Sequence, residues 1–107
     1  MSGLDNTSYT VRTASGTTDT MTANDSVVIY TNSGAKTVVL PAVTAIQPGR
    51  EYSLICTNTG VLTIDPQGAD NINGSATFAM TAGTVGGVTG RCTIISDGTQ
   101  WFTLNSQ

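Results

Sequence analysis

Arg91-Cys92-Thr93-Ile94-Ile95-Ser96-Asp97-Gly98-Thr99-Gln100-Trp101-Phe102-Thr103-Leu104 places two runs of strand-forming residues on either side of an Asp-Gly pair. The β-branched and aromatic side chains of the flanks fit a pleated, half-buried surface. Asp97-Gly98 suits the positive backbone angles of a tight connection, so the stretch predicts a β-hairpin with Asp97 and Gly98 in its turn. Two registers are open. A two-residue turn sets Ile94 opposite Trp101, whereas a four-residue loop from Asp97 to Gln100 pairs Ile95 with Phe102. Trp101 is the only tryptophan in the chain. A late strand carrying Trp101, Phe102 and Leu104 is therefore expected to close a core left open by earlier strands.

Outward from this hairpin the same chemistry recurs. Ser26-Val27-Val28-Ile29-Tyr30-Thr31 ends at Asn32-Ser33-Gly34, and Lys36-Thr37-Val38-Val39-Leu40 follows at once, which predicts a second hairpin stopped by Pro41. In Glu51-Tyr52-Ser53-Leu54-Ile55-Cys56-Thr57, period-two alternation puts Tyr52, Leu54 and Cys56 on one face. After the turn Asn58-Thr59-Gly60, Val61-Leu62-Thr63-Ile64-Asp65 turns Leu62 and Ile64 inward. Ile72 stands alone between Asp70-Asn71 and Asn73-Gly74 as a short edge element, and Ala76 to Thr81 offers Phe78 and Met80 to one face. Tyr9-Thr10-Val11-Arg12-Thr13 alternates as a first strand. Residues 42–47, before Pro48-Gly49, are the one segment suited to a helical turn. The expected fold is all-β: an antiparallel β-sandwich or barrel-like domain of about 8 short strands with almost no helix. Residues 1–24 read as an extended or partly flexible N-terminal arm and 25–107 as the β-domain. Its expected core is Val38, Leu40, Tyr52, Leu54, Leu62, Ile64, Ile94 and Trp101.

The totals narrow the class. At 107 residues and 11.0 kDa the chain makes one domain. Charged residues are 10%, against about 25% in an average soluble protein, and threonine supplies about a fifth of the chain. A neutral, hydroxylated surface gives little repulsion between copies and suits assembly. The net charge is −3, and Arg12, Lys36, Arg50 and Arg91 are scattered, so no cationic track for nucleic acid exists. Met1-Ser2-Gly3-Leu4-Asp5-Asn6 has neither a positive opening nor an apolar centre, and no run reaches membrane-spanning length. A chain made in the cytoplasm without export is the expectation. The Asn-x-Ser patterns at Asn6, Asn24 and Asn73 are then coincidental, and Cys56 and Cys92 stay small buried thiols unless their strands are adjacent and they pair.

Chemistry is sparse. Histidine is absent, which removes the commonest general base and neutral metal ligand, and the two cysteines are too far apart for a paired-thiolate site. Asp65 with Asp70 or Asp97 would be the carboxylates of a glycoside hydrolase, but each sits beside Pro or Gly or at a strand end, where Asp shapes turns. Calcium through Asp65, Asp70 and Asn71 lacks the known loop spacing. Gly83 to Gly90 lacks the Gly-Lys-Ser/Thr ending of a phosphate cradle and leads into a strand. No catalytic residue, cofactor or metal is expected. Among the aromatics, Trp101, Phe102, Tyr52, Tyr30 and Tyr9, core packing is the expected role, with Tyr9 and Tyr30 the most exposed.

Thr37-Val38-Val39-Leu40-Pro41, Gly49-Arg50-Glu51-Tyr52-Ser53-Leu54, Val61-Leu62-Thr63-Ile64-Asp65-Pro66, Ile72-Asn73-Gly74 and Ser96-Asp97-Gly98-Thr99-Gln100-Trp101-Phe102 follow one another in an order that resembles a small β-domain of tailed-bacteriophage virion proteins. The resemblance covers roughly residues 25–105. It implies a structural, non-enzymatic protein, and a homotrimer. With only a short stretch before the shared region, it further implies a capsid decoration (cement) protein bound to the major capsid protein shell. The virion surface is then its location, and Leu4, Tyr9, Val11 and Arg12 in the arm are candidate shell contacts. The rival is a tail-fibre or receptor-binding module whose loops at Asn32-Ser33, Gln67 to Asn73 and Gly83 to Gly90 contact a host glycan.

Overall fold

The computed structural model describes residues 10–81 and 90–106. Within them nine strands form: β1 (Val11–Ala14), β2 (Thr18–Thr20), β3 (Val27–Tyr30), β4 (Lys36–Val39), β5 (Glu51–Cys56), β6 (Val61–Asp65), β7 (Phe78–Thr81), β8 (Gly90–Ser96) and β9 (Trp101–Ser106). The segment suited to a helical turn forms a single 3-10 turn at Val43–Ala45, and no α-helix occurs among the described residues. The all-β character is as the sequence implies.

The pairing is not. Two mixed sheets pack face to face, one ordered β1-β3-β5-β8-β9 and the other β2-β4-β6-β7. β1, β3 and β5 run parallel, as do β2, β4 and β6; only β7, β8 and β9 pair antiparallel. The chain alternates between sheets, so that β1–β2, β3–β4 and β5–β6 are three stacked rungs of a short two-sided solenoid, closed by the β8–β9 hairpin on one side and β7 on the other. The two-layer sandwich arrangement stands, but its pairing is mixed rather than antiparallel, and the barrel is corrected because neither sheet closes on itself. It also corrects the expected hairpin of Val27–Tyr30 with Lys36–Val39, whose strands lie in different sheets.

The physical reason lies at the corners. Thr31-Asn32-Ser33-Gly34 and Thr57-Asn58-Thr59-Gly60 are the same corner on successive rungs: Val27 pairs with Ser53 and Lys36 with Leu62, a constant offset in both sheets. The Asn32 side-chain amide donates to the Ser15 carbonyl at 3.1 Å and that of Asn58 to the Thr31 carbonyl at 3.3 Å, so each asparagine ties its corner to the rung before. Asn32 Oδ1 also accepts from the Gly34 N–H at 2.7 Å, and Asn58 Oδ1 from the Thr59 N–H at 2.9 Å. Each asparagine thus bends its own backbone and at the same time fastens the corner to the rung before, which holds the chain on its passage into the other sheet. Gly60, at φ +97°, packs so closely on Gly34 that a Cβ there would collide with the Gly34 carbonyl. Lys36, only 3% exposed, starts β4 beneath these corners and donates from Nζ to the carbonyls of Gly34 at 3.1 Å and Thr59 at 3.0 Å.

Alternation decides what lies between the sheets. Val28, Tyr30, Tyr52, Leu54, Cys56, Cys92, Ile94 and Trp101 point inward from the first sheet, and Val38, Leu62, Ile64 and Met80 from the second, with Leu40 and Ile72 sealing the ends. All eight residues named as core from sequence are buried here. Tyr52 and Trp101 lie 5.7 Å apart, centroid to centroid, tilted by 52°. The β8–β9 register pairs Ser96 with Trp101 and Ile95 with Phe102, the four-residue-loop alternative, and shifts between Thr93 and Ile94 so that Leu104 bulges outward. Asp97 Oδ1 accepts from the N–H groups of Thr99 at 2.8 Å and Gln100 at 2.9 Å, and Gly98 takes φ +96°.

Residues 11–20, counted with the arm in the sequence reading, form the first rung. Its inward positions are Arg12 and Ala14 on β1, beside Val28 and Tyr30, and Asp19 on β2, beside Val38 of the next rung.

Candidate interaction surfaces

The rung stack has two ends and two outer faces, and its polar chemistry is concentrated at one end. Arg12 donates from both terminal nitrogens to Asp19, at 2.7 and 2.9 Å, and from Nε and a terminal nitrogen to Asp25, at 3.2 and 3.0 Å. Asp25 also accepts from the Thr22 N–H at 3.0 Å, and the Tyr30 hydroxyl donates to Asp19 at 3.0 Å. These fork-to-carboxylate contacts span the two sheets and cap the apolar core where the stack begins. Burial works to raise the Asp25 pKa, but hydrogen bonds from Arg12 and the Thr22 N–H outweigh it and hold the carboxyl below its ordinary value. Arg12 is held above its ordinary value by the hydrogen bonds it donates to Asp19 and Asp25. Burial first, and then Asp19, push the Tyr30 phenol up. Beside this cap the Arg50 guanidinium lies 4.5 Å over the Tyr52 ring and donates to the carbonyls of Ala23 and Asp25.

This disposes of several sequence-level candidates. Tyr30, expected to be among the most exposed aromatics, is 1% exposed, because its alternation carries it inward from β3. Of the four candidate shell contacts, Leu4 and Tyr9 lie outside the described residues, as does Gly83 to Thr89. Val11 is 62% exposed, whereas Arg12 spends its charge on Asp19 and Asp25. Asp70 accepts from the Val43 N–H at 3.0 Å and Asp97 holds the hairpin turn, so both carboxylates serve the backbone. Among the described residues no three metal-ligating side chains converge. The Asn32-Ser33 corner and the Gln67 to Asn73 loop sit at opposite ends of the strands, so they do not share a surface.

The two outer faces differ. On the second sheet Thr18, Thr37 and Thr63 stand in one row and Thr20, Val39 and Asp65 in the next. On the first sheet the outward side chains are Val11, Val27, Ile29, Ile55, Ile95 and Phe102, interspersed with Thr13, Glu51, Ser53, Arg91 and Thr93. Of these apolar groups Val11 is open and Phe102 is 36% exposed, with the others half-buried; the bulged Leu104 adjoins them at 53%. A groove lined by Ser26, Val27, Gly49, Arg50, Glu51 and Ser53 borders this face. Only the pairing reveals that these positions form one continuous surface.

The cysteines occupy neighbouring strands, with Cys92 opposite Leu54 and Cys56 opposite Gly90, and both are buried thiols. Burial raises the Cys92 pKa to about 11, and it raises that of Cys56 against a smaller opposing pull from Lys36. No helix among the described residues is long and apolar enough to cross a membrane. The chain matches no family model and no curated protein.

Proposed function

We propose that this chain is a structural protein of a tailed-phage virion, a trimeric capsid decoration protein that sits on the outside of the shell and stabilises it. The observation that carries the reading is the half-apolar outer face of the first sheet, on a domain whose Arg12, Asp19, Asp25, Asp70 and Asp97 are all engaged in its own fold. A low-charge, threonine-rich surface and the order of the five motifs quoted above support the same reading. The protein is then a non-enzymatic, assembled component. Its partners are copies of itself and the major capsid protein, and neither nucleic acid nor membrane.

The test is sedimentation with emptied, expanded phage heads. The protein is expected to co-sediment to saturation with a fixed number of copies per head; failure to pellet with any shell contradicts the reading. Truncation should stop before Thr10, whose carbonyl accepts from the Val27 N–H at 2.9 Å. Removing residues 1–24 would take away the first rung and its Arg12 cap. Loss of shell binding on deleting 1–8, with folding intact, assigns the contact to that stretch.

A second reading is favoured by one feature. Phe102 is outward on the row Glu51–Ile95–Phe102, close to the groove that contains Ser26, Arg50 and Ser53. An aromatic face beside polar groups suits a sugar ring, as a receptor-binding fibre module would require. A glycan array separates the two: a decoration protein gives no signal.

A further inference from the structure

Three of the four sheet edges, β1, β2 and β9, are poor places for another chain to add. β1 and β2 have four and three residues, and their inward positions carry Arg12 and Asp19. Short edge strands with inward-pointing charges are how natural sheets resist edge-to-edge pairing. At the other end β9 begins under cover: the Trp101 N–H donates to the Asn71 carbonyl at 2.8 Å and the Asn73 N–H to the Trp101 carbonyl at 2.9 Å. Asn73 Oδ1 accepts from the Thr103 N–H at 3.1 Å. Association by strand addition is thus disfavoured at both ends of the first sheet, which leaves its face.

That face carries its own complementary charges. Glu51 begins β5 opposite Ile95, and Arg91 lies on β8 opposite Ile55, so the two sit at opposite ends of neighbouring strands. Four residues of strand separate them, roughly 13 Å, too far to pair within one chain, and among the described residues neither enters an ion pair. The midpoint between them falls at the Ser53–Thr93 pair, near the middle of the sheet. A second copy laid on this face about that point brings its Arg91 to Glu51 and its Glu51 to Arg91. A head-to-tail ring with its axis along the rung stack brings the Glu51 margin of each face against the Arg91 margin of the next.

We infer that the outer face of the first sheet is the self-association surface of this protein, with Val27, Ile29, Ile55 and Ile95 as its apolar contacts around the Ser53–Thr93 midpoint and Glu51–Arg91 pairs joining adjacent copies. This deepens the proposed function by naming the surface through which copies meet, and it rests on that reading only for its biological setting. Opposite charges at a rim fix register and suppress wrong pairings, while the apolar area supplies the attraction.

The test is the solution mass of the full chain by light scattering across a dilution series, for wild type, Glu51→Arg, Arg91→Glu and the double variant. Each single reversal is expected to weaken association by about tenfold or more, and the double reversal to restore it. Ile55→Asp, checked for an unchanged far-ultraviolet spectrum, is expected to give monomers, and Thr18→Lys on the opposite face to change nothing. A wild-type monomer at all concentrations overturns the inference, as does an oligomer indifferent to both the charge reversals and Ile55→Asp. A monomer that still saturates shells would leave the decoration reading standing without this surface. A face-dependent oligomer that ignores shells would do the reverse.

Discussion

Trp101 is fully buried against Tyr52 at the end of the core closed by Ile72. Replacing it by alanine is expected to cost about 3–5 kcal/mol in chemical denaturation; a loss below about 1 kcal/mol would move it from core to surface. Cys92 offers a pH-dependent check. Its folded pKa of about 11 lies above the ordinary thiol value of roughly 8.5, so the folded state holds its proton where the unfolded state has lost it. Its contribution is complete below about pH 8.5 and disappears as pH rises through about 11. Cys92→Ser should flatten that alkaline decline, and in the wild type both thiols should resist a thiol reagent at pH 8 until the chain unfolds. At this scale the sequence was informative. The eight residues assigned to the core are buried, and the Asp97-Gly98 turn is where the flanking strands placed it, but Phe102 and Leu104, expected to help close the core, turn outward at 36% and 53% exposed. Tyr30 departs in the other direction: alternation carries it inward from β3, where its hydroxyl is met by Asp19 from the other sheet, a partner that no local pattern reveals.

Except for β2 at Thr18–Thr20, whose stretch reads as turn chemistry, the strands themselves were legible, and their partners were not. Val27–Tyr30 and Lys36–Val39 carry the composition of a hairpin, since β-propensity and a short Asn-Ser-Gly link are common to hairpins and to solenoid corners. The distinguishing signal was the recurrence of Thr-Asn-Ser-Gly at 31–34 as Thr-Asn-Thr-Gly at 57–60, each preceded by an alternating apolar run and followed by another. The first rung hides the repeat because its corner, Ser15-Gly16-Thr17, is shorter and lacks the asparagine. The corner predicts its own sensitivity. Gly60→Ala forces an L-residue to φ +97° and a Cβ into the Gly34 carbonyl, so it should destabilise by more than about 1 kcal/mol. Gly68→Ala, at φ +62° but with open space around it, should cost less, and equal losses at the two sites in urea titrations would argue against the stacked corners.

At the scale of the molecule, the rungs make a slab with one threonine-rich face and one apolar face, a charged cap at its first rung and a covered edge at its last. Low overall charge and high threonine content had already suggested assembly, but nothing in the linear pattern could say through which surface, because outward positions from β1, β3, β5, β8 and β9 meet only after pairing. The mass of the wild-type protein in solution tests the assembly account most directly. A concentration-dependent rise to three times the 11.0 kDa of the single chain is the predicted result. A dimer would retain the apolar face as the contact and refute threefold closure. A particle that stays at the mass of one chain up to the highest attainable concentration would contradict the account.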